Sequence, residues 1–166
     1  RQKNSSPQKM NSGYVQTVNL LLGIAPTVFE TPRFAMKGGT ALNLFVQDLP
    51  RLSVDIDVVF INHQADRDNA LKEIAQELQR IEKAIATMGY ETRTRKMQGG
   101  NEVKLDIFSA EAEVKVEVNV VFRGTVLPIQ KRSLSERTQA LFSKNIQIPV
   151  LAPSELYGSK LVAAMD

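Results

Sequence analysis

The sequence predicts an α+β fold (mixed α/β), a mixed β-sheet flanked by helices, and three observations carry that reading. The stretch Glu113–Arg123 alternates valines with polar residues, the mark of a strand with one apolar and one polar face. From about Asp66 to Met88 apolar residues recur at helical spacing. Between Phe34 and Ile61 two apolar runs bracket a glycine pair and a short apolar helix, so a strand–turn–helix–strand unit precedes the long helix.

The 166 residues, 43% of them hydrophobic, suit one globular domain with a real core. Residues 1–12 read as a flexible N-terminal segment and 13–152 as the core. Residues 153–166 read as the start of a C-terminal helical region cut short at Asp166, so the chain, which begins at Arg1, looks like part of something longer. The absence of cysteine excludes a disulfide or thiolate–metal framework and suits a reducing cytoplasm. No apolar run approaches the ~20 residues of a membrane span, and no signal peptide is evident. A net charge of +3 permits a nucleotide or RNA partner without arguing for one.

Taken in order, Tyr14, Val15, Val18, Leu21, Leu22 and Ala25 give an amphipathic helix, and Pro26 and Pro32 punctuate the approach to a strand at Phe34. Lys37, Gly38, Gly39 and Thr40 then turn into the helical Ala41–Phe45. Such a corner offers free backbone N–H groups and a positive dipole end to a phosphate, with Thr40 as helix cap or phosphate contact. In the next strand Val54, Ile56 and Val58 share one face, and Asp55 and Asp57 the other, close enough together to bind one or two divalent cations. A merely solvated strand face is the plainer reading, made less comfortable by the apolar run Val58–Ile61 beside it.

The lone His63 reads as a loop residue. In the long helix Leu71, Ile74, Leu78, Ile81, Ile85 and Met88 form the core stripe, while Glu73, Glu77, Arg80 and Lys83 form a solvated face, and Gly89 ends it. Tyr90–Met97 alternates as a strand, Gln98–Asn101 is a turn, and Glu102–Ser109 with Glu113–Arg123 makes a hairpin. Val126–Gln130 is expected as an edge strand because of Pro128, Ser133–Ser143 as a helix and Ile146–Val150 as an extended piece. If the valine-rich strand neighbours the Asp55/Asp57 strand, Glu117 becomes a third carboxylate. Asp106 is the alternative, and a Lys115–Glu117 surface pair the bland one.

The combination KGGTALNL followed by Arg51, Ser53, Asp55 and Asp57 in R-x-S-x-D-I-D resembles the AbiEii-type nucleotidyltransferase toxins of bacterial type IV toxin–antitoxin systems, within the DNA polymerase β-like superfamily. That resemblance implies a nucleotidyltransferase-like sheet, a third acid on a following strand, an NTP substrate and Mg²⁺ (or Mn²⁺). It implies a hydroxyl acceptor, a tRNA 3′ end among those considered, and a cognate antitoxin encoded nearby. ELYGSKLVAAMD is similar to the family's E-L-x-x-x-K-L helix, which makes Lys160 a cation for triphosphate oxygens; otherwise it snorkels to solvent. The implied roles are metal binding for Asp55, Asp57 and Glu117, and nucleotide binding for Lys37, Gly38, Gly39, Thr40, Arg51 and Ser53. A further family acid on a downstream arginine–aspartate element falls beyond Asp166. The rival readings are a small-molecule nucleotidyltransferase or kinase of the same fold, and a non-catalytic nucleotide- or partner-binding module. An RNA acceptor calls for a basic stripe near the site, with Arg93, Arg95 and Lys96 as candidates.

Overall fold

A computed structural model describes residues 11–46, 54–96, 102–120, 124–125 and 127–157. Among these, seven strands form one mixed sheet in the order β3-β4-β5-β2-β1-β7-β6. The strands are β1 (Phe34–Lys37), β2 (Ile56–Phe60), β3 (Glu91–Lys96), β4 (Glu102–Phe108), β5 (Glu113–Asn119), β6 (Gln130–Ser133) and β7 (Gln147–Val150). β2 pairs with β5 in parallel and with β1 antiparallel, so the Asp57 strand is central. β1 also pairs with β7 in parallel, and the remaining neighbours are antiparallel.

Helices α1 (Ser12–Val28) and α3 (Arg67–Thr87) cover one face of the sheet. The core lies between them and the apolar rows Ile56, Val58 and Phe60 of β2, Leu105 and Ile107 of β4, and Val114, Val116 and Val118 of β5. Strand alternation dictates this: with every second residue turned inward, the polar partners in those strands are all turned to the other face. α1 runs longer than its amphipathic stripe suggested, from an Asn11 cap to Val28, and Pro26 lies inside its last turn. The missing proline N–H costs one intrahelical bond there, which a last turn anchored by the buried Val28 tolerates.

α3 matches its expected span, with Asp66 as the cap accepting from the Asn69 N–H at 2.8 Å and Gly89 beyond its end at φ 94°. Two expectations on it fail. Met88 is 46% exposed, because it caps the helix instead of facing the sheet. Glu77 is buried at 2% exposure: Arg80 grips it at 2.7 Å, the Thr31 hydroxyl donates to it, and Arg33 stands 3.7 Å away. The loop before β1 covers that turn of α3 and brings the buried acid its partners.

The edge strand placed at Val126–Gln130 instead occupies Gln130–Ser133, where the chain can pair in register with β7. The following helix, α4 (Glu136–Phe142), starts later than expected, at a Ser135 cap. The Gln98–Asn101 turn lies outside the described residues.

Candidate active site

The strand–glycine–helix corner forms as expected, but the helix starts sooner. α2 (Gly38–Ala41) begins directly after β1, with Lys37 in the cap position, and continues into a π turn, Leu42–Val46. Thr40 is therefore not the cap; it lies inside the first turn, 1% exposed. Gly38 has φ 85°, a backbone conformation natural to glycine. A side chain there would also overlap the Asp57 carboxylate, with Asp57 Cβ and Cγ both 3.2 Å from the added carbon. The corner and the acid are in contact.

Register assembles the rest. Lys37 on β1 lies opposite Asp57 on β2, Asp57 beside Glu117 on β5, Glu117 opposite Lys104 on β4, and Lys104 opposite Arg95 on β3. Because paired residues share a face, these five side chains form one transverse row on the polar side of the sheet. Asp55 sits just before β2, half-buried, and near enough to Glu117 and Lys115 for both charges to act on it. Asp57 and Glu117 lie side by side across the β2–β5 ladder, near enough for the Glu117 charge to act on Asp57. Burial, with the Glu117 charge adding to it, pushes the Asp57 carboxyl up to about 7. Burial and Glu117 likewise raise Asp55, while Lys115 and Lys104 pull it down.

Glu117 pairs with Lys104 at 2.8 Å, not with Lys115. The alternative third acid, Asp106, is 3% exposed and held by Arg95 through two bonds of 2.6 and 2.9 Å. Geometry thus brings Asp57, Glu117 and the Gly38 corner together, with Asp55 at the rim, and leaves Asp106 locked in an ion pair. The expected basic stripe splits: Arg95 is engaged by Asp106, and Lys96, opposite Val103, is turned to the α3 side. Arg51, Ser53 and Lys160 lie outside the described residues. Sequence reasoning missed Lys104. Its alternation with Val103 and Leu105 put it on the polar face, yet only the β4–β5 register shows that it meets Glu117.

A strand, a glycine corner and two neighbouring carboxylates on the polar face of a mixed sheet are the arrangement expected of a nucleotidyltransferase. The family model described as nucleotidyl transferase AbiEii toxin of type IV toxin–antitoxin systems matches residues 19–166, and the chain belongs to that family. It is accordingly a nucleotidyltransferase, and membership implies an antitoxin partner. Comparison with curated proteins gives no match. No helix among the described residues is long and apolar enough to cross a membrane.

Such an enzyme generally uses a divalent metal, and the described carboxylates offer a partial donor set. Among the described residues, no three Asp, Glu or His side chains close on one point. Asp57 and Glu117 do meet, with Asp55 nearby, and their mutual repulsion is what a cation would relieve. Mg²⁺ commonly takes one or two protein carboxylates and completes its shell with phosphate oxygens and water, so the donor set suits it.

Proposed function

We propose that the chain transfers a nucleoside monophosphate from an NTP to a hydroxyl on RNA, with a tRNA 3′ end as acceptor, acting as the toxin of a toxin–antitoxin pair whose antitoxin is encoded nearby. The observation that carries this is the in-register Asp57–Glu117 pair in contact with the Gly38 corner. Asp57 and Glu117, with Asp55, would hold Mg²⁺ or Mn²⁺. When bound, the metal neutralises the triphosphate and makes the acceptor hydroxyl easier to ionise.

The protein's own groups do the positioning. Backbone N–H groups of Gly38, Gly39 and Thr40 face the β- and γ-phosphates, and the lack of a Cβ at Gly38 lets phosphate and Asp57 approach the same corner. Lys37, beside Asp57, adds a cation on the β1 side of the acids. Arg51 neutralises charge on the phosphates, Ser53 orients the first carboxylate, and Lys160 meets triphosphate oxygens; these three roles rest on the motif. The acceptor oxygen bonds to the α-phosphorus, the bond to the pyrophosphate oxygen breaks, and the hydroxyl proton passes to the carboxylate row or solvent.

The test is incubation of the protein with Mg²⁺, total tRNA and each α-labelled NTP. Wild type transfers label to RNA from at least one NTP, and Asp55→Ala does not. Label carried only by small molecules moves the acceptor to the small-molecule reading. NTP binding that survives Asp57→Ala with no labelled product supports a non-catalytic module.

A further inference from the structure

Lys104 is a half-buried cation on β4 that neither the motif nor the expected site includes. Its Nζ stands 2.8 Å from Glu117 Oε1 and 3.9 Å from Glu102 Oε1. Lys104 and Glu117 face each other across the β4–β5 ladder, and their side chains are only 20% and 22% exposed. An exposed cross-strand pair would be an ornament worth a fraction of a kcal/mol. This one differs in what lies on its far side. Glu117 stands between Lys104 and Asp57 in register, so the lysine acts on a carboxylate whose other neighbour in the row is the aspartate that touches the Gly38 corner.

We infer that Lys104 is a positioning residue: it fixes the Glu117 side chain so that its carboxylate is presented beside Asp57 to a divalent cation. This inference rests on the proposed function of the Asp57–Glu117 pair. The physical reason is rotamer freedom. A glutamate carries three side-chain torsions, and without a tether its carboxylate wanders among staggered wells, many of which point away from Asp57. Loss of a partner that orients a metal ligand typically weakens metal affinity about 10–100-fold. Simple electrostatics predicts the opposite sign, since deleting a lysine beside three acids makes the site more negative and a cation bind tighter. The two ideas are therefore separable by experiment.

The full chain is titrated with Mn²⁺ alone, with free ion followed by electron paramagnetic resonance, in wild type, Lys104→Met, Lys104→Arg, Glu102→Gln and Glu117→Gln. Positioning predicts that Lys104→Met weakens Mn²⁺ about tenfold or more, approaching Glu117→Gln. Lys104→Arg, which keeps a donor, recovers most of the affinity, and Glu102→Gln leaves it unchanged. In the transfer assay Lys104→Met raises the Mg²⁺ concentration needed for half-maximal rate more than it lowers the rate at saturating Mg²⁺. Thermal melts identify any variant that fails to fold, and the Arg variant then carries the test. Unchanged or tighter Mn²⁺ binding by Lys104→Met overturns the inference and leaves the carboxylate site standing. Absence of Mn²⁺ binding by wild type overturns both.

Discussion

Asp57 is placed where burial and a like charge meet, and this fixes how the metal-free protein should respond to pH. Its carboxyl titrates near 7 in the fold against an ordinary 3.8, so between those values the folded state holds a proton that the unfolded chain has released. Stability from this group is fully present below about pH 4 and is lost as pH rises through about 7. The melting temperature of the metal-free protein should fall between about pH 4 and pH 7 and level off above that, and Asp57→Asn should flatten the fall; an equal slope in the variant would show that another group drives it. Gly38 gives a second test at this scale. Gly89 also has positive φ, at 94°, but open space around its Cβ position, whereas a Cβ at Gly38 meets Asp57. Gly89→Ala should cost about 1 kcal/mol from strain alone. Gly38→Ala should cost more and displace Asp57, abolishing transfer; urea melts and the labelling assay read both. That Asp57 and the glycine corner come together was visible in the sequence, because D-x-D on a strand after a glycine corner is a local pattern. Lys104 was not visible, since its meaning comes from a neighbour thirteen residues away along a ladder whose register no local pattern sets.

At the scale of elements, α3 and β5 were the most legible, because their periods of 3.6 and 2 persist over many residues. Glu77 was misread as solvated for the opposite reason. Its partners Thr31 and Arg33 come from the loop before β1, and periodicity carries no information about what covers a helix. Glu77→Ala should leave Arg80 and Arg33 without their buried acceptor and cost about 1–3 kcal/mol in a urea melt, with transfer at saturating Mg²⁺ unchanged in the folded fraction. A loss much below that range would mean that the bonds Arg80 already makes to Glu30 and the Thr27 carbonyl, and Arg33 to the Glu73 carbonyl, are enough to hold the arginines. β6 was misplaced because Pro128 marked an irregular edge, while the pairing itself is set by β7, which comes later in the chain.

For the whole molecule, the sheet order matters most. Placing β2 between β1 and β5 brings Lys37, Asp57 and Glu117 from three separate stretches of sequence into one row, and puts the apolar backs of the same strands under α1 and α3. Alternation in each strand was readable beforehand; which strands are neighbours was only conditional, and the β2–β5 pairing puts Glu117, not Asp106, beside Asp57. The central claim is that the carboxylate pair across β2 and β5 is the chemical centre, while Asp106 is a structural partner of Arg95. The direct measurement is the rate of label transfer from NTP at saturating Mg²⁺ for Asp57→Asn, Glu117→Gln and Asp106→Asn, each shown by its melt to be folded. Asp57→Asn and Glu117→Gln should each lose at least about a hundredfold, on the order of 3 kcal/mol of barrier, while Asp106→Asn stays within about tenfold of wild type. Transfer that survives Glu117→Gln and disappears with Asp106→Asn would contradict it.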